Sequence, residues 1–157
     1  MTKTFVPAAD YTKVHNAIFK LYTRLPDFKA EHALFYVYLV AQHNDEYGYA
    51  FPSTYHIALA LNCSERAVSG YKDVLKRRGL VEIMRAAPFH NDVYYVKAPI
   101  TDEAEFYERF PEAREYYERR TAAFDRRRAS GKERKRAYDE RRKPKDDPGE
   151  IDVFSWL

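Results

Sequence analysis

Residues 62 to 80, NCSERAVSGYKDVLKRRGL, combine side chains suited to nucleic acid with the signals that build a helix. Arginine forks onto guanine edges or phosphates, serine bonds either base or backbone, and glycine allows close approach to a duplex. On a 3.6-residue wheel Val68, Tyr71, Val74 and Leu75 share one side. Arg66, Ser69, Gly70, Asp73 and Arg77 take the opposite side, with Lys76 at its edge. A polar helix face is most often only solvated, so the elements that position this one decide what it means.

Ser64 is a helix N-cap type and Gly79 a stop, so a helix is expected between them, entered through a tight turn at Asn62 and Cys63. Ser53 caps a shorter helix to Leu61, with Ile57, Ala58 and Leu61 inward. Upstream, Leu34, Val37, Tyr38 and Ala41 form a helical stripe within residues 29 to 43, broadened by Phe35 and Leu39. Val14, Ile18, Leu21 and Tyr22 predict a first helix from Tyr11 to Tyr22. Downstream, LVEIMRA and DVYYVKA have strand composition and flank the loop APFHN, which reads as a hairpin. The expected core is Val37, Tyr38, Ile57, Ala58, Leu61, Val68, Leu75, Leu80 and Ile83.

Helix, helix, short helix, tight turn, helix and hairpin is the layout of a winged helix-turn-helix, whose second turn-linked helix enters a DNA groove. FPS at 51 to 53, IALAL at 57 to 61, SERAV at 64 to 68 and LKRRGLVEI at 75 to 83 carry a resemblance to a known family. From about Thr12 to Val96 the chain resembles the N-terminal winged-helix domains of Gram-positive plasmid and phage replication initiators and related helix-turn-helix regulators. Lys72 stands where such helices usually carry an aliphatic residue, and Gly70 and Asp73 where a basic or polar reader often sits. The resemblance implies a double-stranded DNA partner and a role in replication initiation or transcriptional regulation for a mobile element. The expected contacts are Ser64, Arg66, Ser69, Gly70, Lys76 and Arg77, and Lys72 if it snorkels past Tyr71. Ser53 and Thr54 at a helix start favour a phosphate, and Arg85, His90 and Asn91 in the wing are expected either to reach a minor groove or the DNA backbone or to be no more than a polar hairpin tip.

Composition divides the chain. Residues 1 to 100 hold 12 Lys/Arg and 9 Asp/Glu, a charge of +3; residues 101 to 118 carry −5, 119 to 145 carry +9, and 146 to 157 carry −4. The basic block suits non-specific phosphate binding. The expected fold class is mainly α with a small β-hairpin: a winged helix-turn-helix over 1–98, an amphipathic helical extension over 99–130, a basic linker over 131–149 and a terminal peptide over 150–157. His15, His32, His43, His56 and His90 show no metal-type spacing with the single Cys63, and no phosphate loop or catalytic motif appears. Catalysis and cofactors are therefore not expected. One cysteine, and no apolar run long enough for a signal peptide or a membrane span, fit a cytoplasmic location.

Phe106, Phe110, Ala113, Tyr117 and Phe124 recur on one helical side. Such a stripe packs either on the winged domain or against its copy; self-association is the simplest choice, a homodimer through Phe106, Phe110, Tyr117 and Phe124. At the end, Ile151, Val153, Phe154, Trp156 and Leu157 form an apolar cluster too short for a core, and read as an anchor peptide for a partner. EIDVF also resembles the bacterial sliding-clamp-binding peptide, with Glu150 where that peptide has glutamine. The implied partner is a host replication protein: the clamp, a helicase or its loader. From another class comes a protein-binding adaptor that keeps the winged fold, motivated by Asp73 on the exposed face.

Overall fold

The computed structural model describes residues 5–86 and 91–142. The chain forms two units, Met1–Tyr117 and Glu118–Leu157. In order, the elements are α1 (Ala17–Lys20), a 3-10 turn (Tyr22–Arg24), α2 (Ala30–Ala41), α3 (Thr54–Leu61), α4 (Glu65–Arg77), β1 (Val81–Ala86), β2 (Asn91–Val96), α5 (Glu103–Arg109) and α6 (Pro111–Arg142). The architecture is mainly helical, with one antiparallel hairpin: a helix-turn-helix with a small wing.

The local signals that start and stop the central helices act as their chemistry requires. Ser53 Oγ accepts the His56 N–H at 3.2 Å and Ser64 Oγ accepts the Ala67 N–H at 3.1 Å, each satisfying a donor that the first helical turn leaves open. Gly79 at φ 72° turns the chain out of α4. A side chain there would strain the backbone. Asn62, at φ 52° and ψ 52°, makes the tight turn between α3 and α4 in the left-handed region that asparagine tolerates.

The first helix is far shorter than its spacing predicts. His15 Nδ1 accepts the Ala17 N–H at 3.0 Å, so helical pairing begins only there and spans 4 residues. The 3-10 turn that follows brings Leu21, Tyr22 and Leu25 inward together with Ile18, while Val14 is only partly buried. Helix α2 is rotated from the expected stripe: His32, Phe35, Tyr36 and Leu39 are buried, Leu34 is 52% exposed and Ala41 faces water. A segment apolar nearly all round offers periodicity no unique face. The aromatic rings settle it, because Phe35 meets Tyr94 edge-on at 6.2 Å. Of the expected core, Ile57, Ala58, Val68, Leu75 and Leu80 are buried, and Tyr38, Leu61 and Ile83 pack against it from partly buried positions. Val37 is displaced from the core by the same rotation and is only half-buried.

The hairpin pairs Val81 with Val96 through to Ala86 with Asn91. Its base is joined by a bridge that sequence reading missed: Ala50 donates to the Tyr94 carbonyl at 2.9 Å and Tyr94 donates back at 2.7 Å.

Two further corrections concern the segment after the wing. Phe106 and Phe110 face inward, 0% and 6% exposed, and Ala113 is buried beside them. Phe106 meets Tyr22 edge-on at 5.1 Å and Phe110 at 5.2 Å, an aromatic cluster that Phe28 extends. They are therefore unavailable to a second copy, and only Tyr117 and Phe124 of the expected stripe are exposed. The first unit consequently reaches Tyr117 instead of ending at 98. Arg24 holds this closing segment, donating to Glu103 at 3.0 Å and Tyr107 at 2.6 Å while lying 4.2 Å from the Tyr117 ring.

In the second unit α6 continues unbroken to Arg142, across the expected boundary at 130, and from Glu118 to Arg142 no residue is buried. The expected anchor residues Ile151, Val153, Phe154, Trp156 and Leu157 lie outside the described residues, as does His90.

Candidate nucleic-acid interface

Helix α4 is fixed from one side only. Val68, Val74 and Leu75 are buried, Tyr71 is half-buried, and Arg66, Ser69, Gly70, Asp73, Lys76 and Arg77 are exposed. The structure thus brings the sequence-predicted face together as a continuous exposed surface of one helix. A Cβ added to Gly70 would meet nothing within 4 Å.

Lys72 leaves that face. Its side chain is 14% exposed, and its Nζ lies 2.9 Å from Asp92 Oδ2 of β2 and 3.4 Å from Thr54 Oγ1. Burial works to lower its pKa, but the Tyr94 hydroxyl and the Asp92 carboxylate outweigh burial and raise it. Lys72 therefore stays charged and ties α4 to the start of α3 and to the wing. Its position four residues after Val68 was the available signal, since that spacing returns to the inward side.

Arg77 and the next residue divide the C-terminal end of α4. Arg77 is 56% exposed by side chain and pairs with Asp27 at 2.6 Å. Arg78 turns inward at 9% and grips the same carboxylate through Nε and Nη2, at 3.0 and 2.8 Å, while its Nη1 reaches Glu112 at 2.6 Å. Burial pushes the Asp27 carboxyl up, yet the hydrogen bonds from Arg78 and Arg77 outweigh it and hold the group below its ordinary value. Arg78 escaped sequence reading, although it stands seven residues after Tyr71 and four after Val74, on the core side of the wheel.

The hydroxyls at the start of α3 are engaged within the protein. Ser53 Oγ lies 2.6 Å from His56 Nδ1 besides capping the helix, and Thr54 Oγ1 accepts from Lys72. Ser64 is likewise occupied as a cap. In the wing Arg85 and Asn91 are exposed near the far end of the hairpin, and Arg85 stands opposite Asp92 in register. Among the described residues no three His, Cys, Asp or Glu side chains gather as a metal site, and no helix is long and apolar enough to cross a membrane.

No protein-family model and no curated protein matches the chain. Solved structures do. One described as "Structure of Rep-DNA complex" is 18% identical, with a TM-score of 0.50 over 69% of this chain and 95% of that one. One described as "N-Terminal domain of DNA binding protein" is 15% identical, with a TM-score of 0.48 over 71% and 95%. A third, "Structure of MDR initiator", is 15% identical, with a TM-score of 0.46 over 67% and 94%. At 18% identity the likeness to the first of these is one of fold alone.

Proposed function

We propose that this chain binds double-stranded DNA by laying α4 in a major groove, as a replication initiator of a plasmid or phage. Gly70 carries the reading. Glycine inside a helix costs about 0.5–1 kcal/mol relative to alanine, and nothing in the surrounding protein requires it here. A bare backbone at the middle of an exposed face is of use to something that must come close from outside.

The neighbouring side chains suit the same arrangement. Arg66 has the fork for a guanine edge or a phosphate, Ser69 bonds either, and Lys76 supplies a point charge for the backbone. Asp73, one turn beyond Gly70, is unfavourable against phosphate but matches the amino group of cytosine. The Lys72–Asp92 pair keeps the wing in register with α4, so Arg85 and Asn91 reach the backbone beside the groove when the helix is seated. The function proposed is binding without catalysis. Likeness to the fold of a Rep–DNA complex favours replication over transcriptional regulation. The apolar residues 151 to 157 would then recruit a host replication protein, and they lie outside the described residues.

The test is Gly70→Ala. Alanine should stabilise the fold by about 0.5–1 kcal/mol in chemical denaturation. It should also weaken binding to a duplex chosen from a random pool by the wild-type chain. A stabilised variant that binds that duplex as well as the wild type would remove α4 from the groove, and a wild-type chain that retains no duplex at low salt would favour the adaptor.

A further inference from the structure

Beyond Tyr117, α6 is organised by charge instead of burial. Arg120, Arg127, Arg134 and Arg141 recur at seven-residue intervals, and Arg128, Lys135 and Arg142 form a second column, with that of Phe124, Gly131 and Tyr138 between the two. Seven residues are nearly two turns of α-helix, so each column runs along one side. The carboxylates keep to the far side, where they alternate with bases: Glu118, Asp125 and Asp139 share a column with Lys132, and Glu133 and Glu140 share one with Arg119 and Arg126. The ion pair Arg136–Glu140, at 3.3 Å, joins two residues of that far side.

The sorting matters more than the charge total. A helix with mixed signs on every face is merely soluble, whereas this one presents all its acids to one side and a broad basic surface to the other. Phe124 and Tyr138 sit within the basic surface. The Arg120 and Arg127 guanidiniums lie 5.4 and 5.8 Å from the Phe124 ring, and that of Arg142 lies 5.5 Å from Tyr138. From Arg120 to Arg141 the column spans about 32 Å at 1.5 Å per residue, close to the roughly 34 Å of one duplex turn.

We infer that this basic side of α6 is a second, sequence-independent surface for the phosphate backbone of duplex DNA, resting on the reading of the chain as a duplex-binding protein. Its predominance of arginine suits phosphate, which the guanidinium fork meets with two donors. An anionic lipid surface would demand an apolar face opposite the charges, and the far side of this helix carries carboxylates. Covalent linkage to α4 makes the second contact intramolecular once the first has formed, so modest charge contacts add to affinity.

Two double variants of the full chain with equal charge change separate this proposal from a net-charge effect. Arg127→Gln with Arg134→Gln alters the basic side, and Lys132→Gln with Arg136→Gln alters the far side; glutamine sustains helix, which circular dichroism checks. Affinity is measured across salt concentrations on the selected duplex and on a scrambled one, and binding to phosphatidylserine vesicles alongside. The first variant should lose about 2 from the slope of log affinity against log salt, at about 0.9 per phosphate, on both duplexes. The second should match the wild type. Equal slopes in all three chains, or equal shifts in both variants, would overturn the proposal, as would a loss confined to vesicles. The two readings fail differently: without α4 readout the wild type binds both duplexes alike while the slope difference persists, whereas without the second surface sequence preference survives and the slopes coincide.

Discussion

Helices α4 and distal α6 both hold arginines out to water, and they are built on opposite plans. In α4 the inward side is apolar, so burial of Val68, Val74 and Leu75 fixes which residues face outward. In α6 from Glu118 to Arg142 nothing is buried, and the sides differ in charge, one basic throughout and the other mixing acids with bases. A helix that must place a particular side chain against a particular base needs its rotation locked by a core. Contact with a uniform string of phosphates has no such need, and a sorted charge pattern is enough.

The sharpest break between the two units should come from Phe106→Ala. Removing a fully buried ring from the first unit should cost about 3–5 kcal/mol in denaturant unfolding, with a midpoint independent of protein concentration because the ring packs within its own chain. A concentration-dependent midpoint in the wild type that the variant abolishes would instead return Phe106 to a dimer interface. Next comes Arg78→Ala, which removes the double grip on Asp27 and the contact to Glu112 but leaves Arg77 paired with Asp27; a loss of about 1–3 kcal/mol is expected, in the range for hydrogen bonds to charged groups. The same experiment on exposed Arg128 of α6 should show almost nothing.

His32 gives a smaller, pH-dependent effect confined to the first unit. Its Nδ1 accepts the Lys29 N–H at 2.8 Å at the start of α2, and burial holds its pKa below the ordinary 6.5. The folded chain thus keeps a neutral imidazole that the unfolded chain protonates, so this contribution is whole above pH 6.5 and falls as pH drops toward the lower folded value. Unfolding midpoints between pH 7.5 and about 5 should decline in the wild type and decline less in His32→Gln. Least disturbing to the first unit should be Ala129→Pro. Proline breaks an exposed helix at a local cost of about 3 kcal/mol, so helicity should drop while the unfolding of the first unit stays where it was. A shifted midpoint would show that the two units are energetically coupled.

What could be read beforehand follows how far each determinant reaches along the chain. Ser53, Ser64 and Gly79 act on their own turn, so the helix-turn-helix and its outward face were legible. Both Lys72 and Arg78 sat at inward wheel positions, but residue type argued against burial, and the compensating carboxylates at Asp92 and Asp27 are 20 and 51 residues away. The stripe Phe106, Phe110 and Ala113 had the correct helical spacing; that its partner was Tyr22 depended on a packing 84 residues distant that periodicity does not encode. The rotation of α2 was beyond reach for a different reason, since a helix apolar on nearly every side leaves the choice of face to its neighbours.

The pair of hydrogen bonds between Ala50 and Tyr94, 2.9 and 2.7 Å long, closes a ring around everything from Phe51 to Val93, which includes α3, α4 and all of β1. The segment begins and ends at the same place in the fold. Its two ends can be exchanged together at one bridge, but its inner side is fitted to the host: a replacement for residues 51 to 93 must keep an arginine at position 78, which grips Asp27 and Glu112 and lies 5.2 Å from the Phe110 ring of the aromatic cluster.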